Sequence, residues 1–215
     1  MTWAEYCAAW ARLHGGFDPA AASAVVRGWV RVAYRAGSWL AARRVAPSAV
    51  TTAGLVLCWC VPLVVGTLGR AGAALGAVLV LLAALADGLD GAVAVVSGRA
   101  SKLGYVYDSV ADRLGEAAWL LAFWLAGAPA WLAVAAGGVS WLQEYARARA
   151  TAAGMSEIGV VTVAERPTRV LVAIFGLLAA AVAPAAINVA AAVWLGLAVV
   201  GLGQLGMAIR RELAS

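Results

Sequence analysis

Four of the five aspartates in this 215-residue chain, Asp87, Asp90, Asp108 and Asp112, fall in one short stretch flanked by long apolar runs. Their spacings of three and four residues place each pair on one face of a helix. Two such helices facing each other would gather four carboxylates at one point inside an apolar body. Bare anions cannot share that place, because desolvation and mutual repulsion would protonate most of them. Divalent cations resolve the conflict, and a donor set of carboxylate oxygens suits a hard ion, Mg2+ or Mn2+. Glu116 continues the Asp108–Asp112 face by a further turn, either as a support behind the ligands or with no part in the site. The competing use of these acids is structural, with Asp112 paired to Arg113 or Arg147. Ionisable groups at membrane depth are costly enough to favour function over pairing.

The elements that must hold these carboxylates are helices in a bilayer. Hydrophobic residues make up 64% of the chain and charged residues only 13%, and apolar runs of spanning length recur. The pattern predicts an all-α, polytopic membrane protein with six transmembrane helices. They lie at about 48–68, 73–96, 103–126, from Pro129 through Arg149, and at about 167–183 and 185–209, with ends uncertain by about two to four residues. Pro47 opens the first span, and Gly69-Arg70-Ala71-Gly72 turns the chain into the second. Six spans put both termini on one side. Lys and Arg gather in the N-terminal arm, the 99–102 connector, the 147–169 region and the C-terminus, against Arg70 alone on the opposite loops. Both termini and the Asp-bearing helix ends are therefore expected to face the cytoplasm, in a multi-pass protein of the cell membrane. The same placement explains the net charge of +5 as topology and not as nucleic-acid binding. Three cysteines, with Cys58 and Cys60 pointing apart on a helix, give neither a disulfide framework nor a zinc site.

An amphipathic arm, residues 1–46, precedes the membrane domain, residues 47–215. Met1–Leu13 is expected to form a short helix with Trp3, Cys7 and Trp10 on one face, ended by His14-Gly15-Gly16. It lacks the apolar core of a secretory leader. His14 is read as a surface residue at that helix end. Asp18 and Pro19 are expected to cap a second helix running to about Arg44. In it Arg27, Arg31 and Arg35 make one stripe, while Val25, Trp29, Val32 and Trp39 lie away from it. Such a helix lies in the membrane interface, where the arginines contact headgroups or recruit an anionic lipid substrate.

Asp87, Asp90, Gly91, Ala94, Gly104, Asp108 and Asp112 together resemble the signature of the CDP-alcohol phosphatidyltransferase family. Its pattern is Asp-x-x-Asp-Gly-x-x-Ala-Arg, eight residues, then Gly-x-x-x-Asp-x-x-x-Asp, and seven of eight defining positions agree. Pro47-Ser48-Ala49-Val50-Thr51 is similar to the family's Pro-Asn-x-x-Thr, and Tyr145–Arg149 and Glu165–Arg169 are similar to its basic segments. Six spans behind an amphipathic N-terminal helix also match the family's architecture. The resemblance implies transfer of a phosphatidyl group from a CDP-linked lipid such as CDP-diacylglycerol to an alcohol acceptor, with release of CMP. It implies Asp87, Asp90, Asp108 and Asp112 as ligands of two divalent ions, with Asp112 also the base that takes the acceptor's proton. It places Ser48, Thr51, Asp87, Gly91, Ala94, Ser101 and Gly104 at the donor, Gly91 where the nucleotide approaches the backbone. Arg147, Arg149, Arg166 and Arg169 are its candidates for a phosphorylated acceptor, or else topology signals. Gln204-Leu205 offers no arginine where inositol-phosphate users are expected to carry one. Val95 stands where the family has the arginine that helps hold the donor. Arg99, one helical turn on, or Arg113 is the available substitute, unless Arg99 is only a cytoplasmic anchor; otherwise donor choice or activity is altered. Family members are often dimers, and Gly137-Gly138 and the glycines at 201, 203 and 206 allow close helix packing, so a homodimer is expected.

Other classes use intramembrane acids. An aspartyl protease needs Tyr-Asp, present as Tyr107-Asp108, but also Gly-x-Gly-Asp, which is absent. Intramembrane prenyltransferases space their aspartates differently. A cation transporter could line a path with carboxylates, but the Asp pattern is not repeated in the second half as transporter repeats would suggest.

Overall fold

The computed structural model describes residues 1–13, 18–155 and 161–213. Among them are seven α-helices and no strand: α1 (Trp3–Leu13), α2 (Ala24–Ala42), α3 (Pro47–Ser97), α4 (Lys102–Leu125), α5 (Ala130–Ala152), α6 (Arg166–Val182) and α7 (Ala186–Leu213). The His14-Gly15-Gly16 helix end lies outside the described residues. Two helices, Pro47–Ser97 and Ala186–Leu213, are long and apolar enough to cross a membrane by length and composition.

The 51 residues of α3 are two helical limbs, because Gly69 breaks the helix at φ 56°, ψ −125°. That backbone conformation is open to glycine and strained for other residues. Close packing completes the reversal: a Cβ on Gly72 would fall 1.9 Å from the Val64 carbonyl oxygen, so only hydrogen fits. With the limbs at 47–68 and 70–97, the helices after the arm follow the six apolar runs of the sequence. Pro47 at the first turn of α3 and Pro129 as the N-cap of α5 mark starts where proline's missing N–H costs nothing.

The chain forms two compact units, Met1–Val56 with Leu82–Asp112, and Leu57–Leu81 with Arg113–Ser215. In the first, α1 and α2 pack on the later turns of α3. Tyr6, Val30, Ala33, Ala92 and Val95 are buried together, ringed by Trp3, Trp10, Tyr34 and Leu89. Tyr34 Oη donates to the Met1 carbonyl at 2.7 Å, and the Tyr6 and Tyr34 rings lie 5.0 Å apart. Cys7 is buried as a free thiol, and burial pushes its pKa up, which keeps it neutral. Helix α2 begins later than the sequence suggested. Asp18 Oδ1 instead accepts from the Ala20 N–H at 2.9 Å in a turn, and Ser23 caps the helix by accepting from Val26 N–H. An Asp side chain bonding two residues ahead offers the backbone a turn in place of a helix start. Once formed, α2 shows three stripes: Val30, Ala33 and Gly37 buried, Arg27, Arg31 and Arg35 exposed, and Trp29, Val32 and Trp39 exposed.

In the second unit, α5 and α6 both pack along α7. Trp194 is buried, its Nε1–H donates to Ser140 Oγ at 3.1 Å, and Phe123 meets it edge-on at 6.0 Å. Gln143, fully buried, donates to Thr162 Oγ1 at 2.9 Å, and Gln204 Oε1 accepts the Val163 N–H at 2.9 Å. These two bonds tie α5 and α7 to the connector that precedes α6.

Candidate active site

Asp87 and Asp90 sit in the last third of α3, Asp108 and Asp112 near the start of α4. The connector between them is short and fixed at both ends. Gly98 closes α3 in the left-handed conformation (φ 65°), with its N–H on the Ala94 and Val95 carbonyls. Ser101 Oγ accepts the Gly104 N–H at 3.0 Å, which caps α4. A Cβ on Gly104 would lie 3.1 Å from that oxygen, so glycine leaves room for the cap.

Three carboxylates converge. Asp87, Asp90 and Asp108 each present an oxygen, and these oxygens all lie within 4.8 Å of one another. Ligands across one small hard cation stand about 4 Å apart, so the triad needs little adjustment to grip an ion. All its donors are oxygen, the set that suits Mg2+ or Mn2+. Asp112, half buried one turn deeper in α4, stands outside this triad.

The first limb of α3 joins the group. Thr51, buried, donates from Oγ1 to Asp90 Oδ2 at 2.5 Å. Its neighbour Thr52 shares a hydrogen bond of 2.8 Å with the Tyr107 hydroxyl, next to Asp108. The first limb of α3 is thus tied to the second limb through Thr51 and to α4 through Thr52. Asp90 is 7% exposed, and the fixed Thr51 dipole directs its carboxylate. Around them Ser48, Gly91, Ser101 and Gly104 are exposed, and Ala94 is half buried. No protein atom would meet a Cβ on Gly91 within 4 Å, so packing does not demand glycine there.

The residues after Asp112 behave differently from the sequence expectation. Glu116, 1% exposed, takes Arg113 at 3.1 Å and Arg169 at 3.0 Å. It is therefore part of an ion network. Eight residues along a helix of 3.6 per turn rotate the side chain by about 80°, off the Asp108 face. Arg113 also meets Glu144 at 3.0 Å, and Arg169 meets Glu144 at 2.5 Å. Arg147 pairs with Glu165 at 2.6 Å, and Glu165 accepts from the Thr162 N–H and Oγ1, each at 2.8 Å. Of the four arginines expected at an acceptor, Arg169 is buried (3% exposed) and Arg147 and Arg166 are half buried, while Arg149 is exposed. No sequence spacing pairs Glu144 with Arg169, 25 positions away, or Glu165 with Arg147, 18 positions away.

Val95 is 7% exposed inside the cluster with Tyr6 and Val30. Arg99 is exposed and lies beyond the end of α3 at Ser97, so no helical turn carries it onto the Asp face. Arg113, the other substitute for the missing arginine, already holds two glutamates.

Known proteins resemble this chain in sequence and in fold. The chain is 33% identical over 99 residues to an archaetidylinositol phosphate synthase of Pyrococcus horikoshii, covering 46% of this chain and 52% of that protein. It is 37% identical over 108 residues to a phosphatidylinositol phosphate synthase of Mycolicibacterium smegmatis, covering 47% and 48% respectively. The chain thus spans about half the length of the curated relatives it matches. The crystal structure of Mycobacterium tuberculosis phosphatidylinositol phosphate synthase with CDP-DAG bound superposes with a TM-score of 0.73 at 23% identity, over 84% of this chain and 94% of that one. A second structure of that enzyme, with manganese and citrate, gives 0.71 at 23% identity, over 82% and 88%. The profile of the CDP-alcohol phosphatidyltransferase family matches residues 44–202, from the turn before α3 into α7, with the whole Asp-bearing hairpin inside it, and the chain belongs to that family.

Proposed function

We propose that this chain transfers a phosphatidyl group from a CDP-linked lipid, such as CDP-diacylglycerol, to the hydroxyl of an alcohol and releases CMP. The observation that carries this reading is the convergence of Asp87, Asp90 and Asp108, with Thr51 bonded to Asp90. Family membership and the likeness to an enzyme solved with CDP-DAG and with manganese support it.

Asp87, Asp90 and Asp108 would hold a divalent cation, Mg2+ or Mn2+, and Asp112 would add the ligand for a second. Bound there, the ions neutralise the donor diphosphate and the charge that develops in an in-line displacement. The acceptor oxygen bonds to the phosphorus of the phosphatidyl unit, and the bond from that phosphorus to the CMP oxygen breaks, its electron pair leaving with CMP. Asp112 takes the proton of the acceptor hydroxyl. Thr51 holds the Asp90 carboxylate in one orientation, and the open backbone at Gly91 lets the nucleotide lie against α3. Ser48, Ala94, Ser101 and Gly104 complete the donor site. Arg147, Arg149 and Arg166 contribute to acceptor binding, while Arg169 is held by Glu116 and Glu144.

The limbs of α3 and helices α4–α7 cross the bilayer as six spans, residues 47–215 forming the catalytic domain. The arm lies in the interface through the exposed Trp and Arg stripes of α2. Both termini and the site face the cytoplasm of the cell membrane, and the working form is a homodimer. Purified protein should release CMP from CDP-diacylglycerol only with a divalent metal and an acceptor alcohol. Metal uptake into vesicles without CMP release would sink the proposal in favour of a transporter.

A further inference from the structure

We propose that the N-terminal arm is the positioning element of the metal-bearing turn of α3, and that Val95 is the seat through which it acts. This rests on the function proposed above only for what the turn binds.

Helical periodicity puts Leu89 and Ala92 on the side of α3 away from Asp87 and Asp90, and leaves position 95 on the flank between the two. From sequence, a side chain there can turn either to the carboxylates or to the arm. In the structure it turns to the arm: Val95 is buried with Tyr6, Val30, Ala33 and Ala92. Helix α2 approaches closely at the same place. A Cβ on Gly37 would lie 3.0 Å from Ala92 Cβ and 3.1 Å from the Ala92 carbonyl carbon, so α2 rests on the backbone of α3 two residues after Asp90. Trp29 reaches within 3.6 Å of a Cβ on Gly88, one residue after Asp87. The aspartates are therefore backed, turn by turn, by an apolar surface from another element. Groups that orient metal ligands from behind act on affinity without touching the ion.

A family member with arginine at this position would place a cation where this chain has a dry apolar contact. An arginine introduced here would carry its charge into the cluster of Tyr6 and Val30, which is unfavourable without a partner. In this chain position 95 makes a packing contact under the arm.

The test measures Mn2+ binding directly by titration calorimetry or electron paramagnetic resonance, alongside donor KM and kcat, in full-length protein. Val95→Arg and Gly37→Val should each weaken Mn2+ binding by about 10-fold, the lower end of what loss of support behind a metal ligand does, and raise donor KM. Val95→Ile should bind as the parent does. Tyr6→Ala, which opens a cavity in the arm and leaves α3 untouched, should show the same direction if the larger substitutions fail to fold, with a melting curve confirming that it folds. Unchanged or tighter Mn2+ binding in folded Val95→Arg, or unchanged binding in folded Tyr6→Ala, overturns the inference. If the parent chain binds Mn2+ but releases no CMP with any acceptor, the proposed activity falls while the Mn2+ comparison still decides the role of the arm.

Discussion

Thr51 and Asp90 are 39 positions apart in the chain, yet the threonine hydroxyl donates to the aspartate Oδ2 across 2.5 Å. The reversal at Gly69 makes this possible, because it lays the start of the first limb of α3 beside the end of the second. A hydrogen bond to a charged acceptor contributes about 1.5–3 kcal/mol. Thr51→Val keeps the shape and removes the donor, so metal-dependent CMP release should fall about 10-fold or more, consistent with that energy. Thr51→Ser should retain most of it. Initial rates against metal concentration would show the loss as weaker metal dependence.

Asp108→Asn removes the charge of one of three converging carboxylates and replaces one of its two oxygens by an amide nitrogen. A direct ligand should matter more than the groups behind it, so activity should drop by more than about 100-fold. Chelation with EDTA should abolish CMP release from the parent protein, and Mg2+ or Mn2+ should restore it. An EDTA-resistant activity would contradict the metal site.

Arg169 and Glu116 form a buried pair inside a network with Arg113 and Glu144, and removing one partner leaves the buried charges of that network unbalanced. Breaking such a pair costs about 3–5 kcal/mol, whereas replacing both by apolar groups is often neutral. Arg169→Met or Glu116→Leu alone should lower the melting temperature in detergent, and the double variant should recover much of it. Where Arg169→Met protein remains folded, its acceptor KM should change less than that of Arg166→Met. A large KM effect at Arg169 with no loss of stability would place it in the acceptor site after all.

Gly72→Ala tests the hairpin. Its new methyl would collide with the Val64 carbonyl, which is backbone and cannot rotate away. Yield of folded protein should fall sharply. Gly69→Ala should be milder, losing about 1–3 kcal/mol for a side chain held in a sparsely populated backbone region. Equal yields for Gly72→Ala and the parent would argue against the reversal as drawn.

The positions of the helices, the turn at 69–72 and the three aspartates that converge, Asp87, Asp90 and Asp108, were legible in the sequence because each depends on local information. An apolar run is a run regardless of what it packs against, proline and glycine punctuate through their own backbone limits, and an i, i+3 or i, i+4 spacing fixes a shared face on any helix. The start of α2 was the local failure: Asp18 and Ser23 are both good caps, and the chain used the first for a turn.

What the linear order could not supply was the partner of each side chain. Val95 sits on a flank whose environment depends on where α2 comes to rest. Glu116 continues the row of aspartates by residue count but is claimed by Arg113 and by Arg169, 53 positions on. Thr51 became a support for Asp90 only when α3 reversed. By itself the sequence determined which residues can bear charge, turn or span, since those are properties of short segments. Only the tertiary structure decided which charge meets which, because burial and Coulomb energy depend on distance in space and not on separation along the chain.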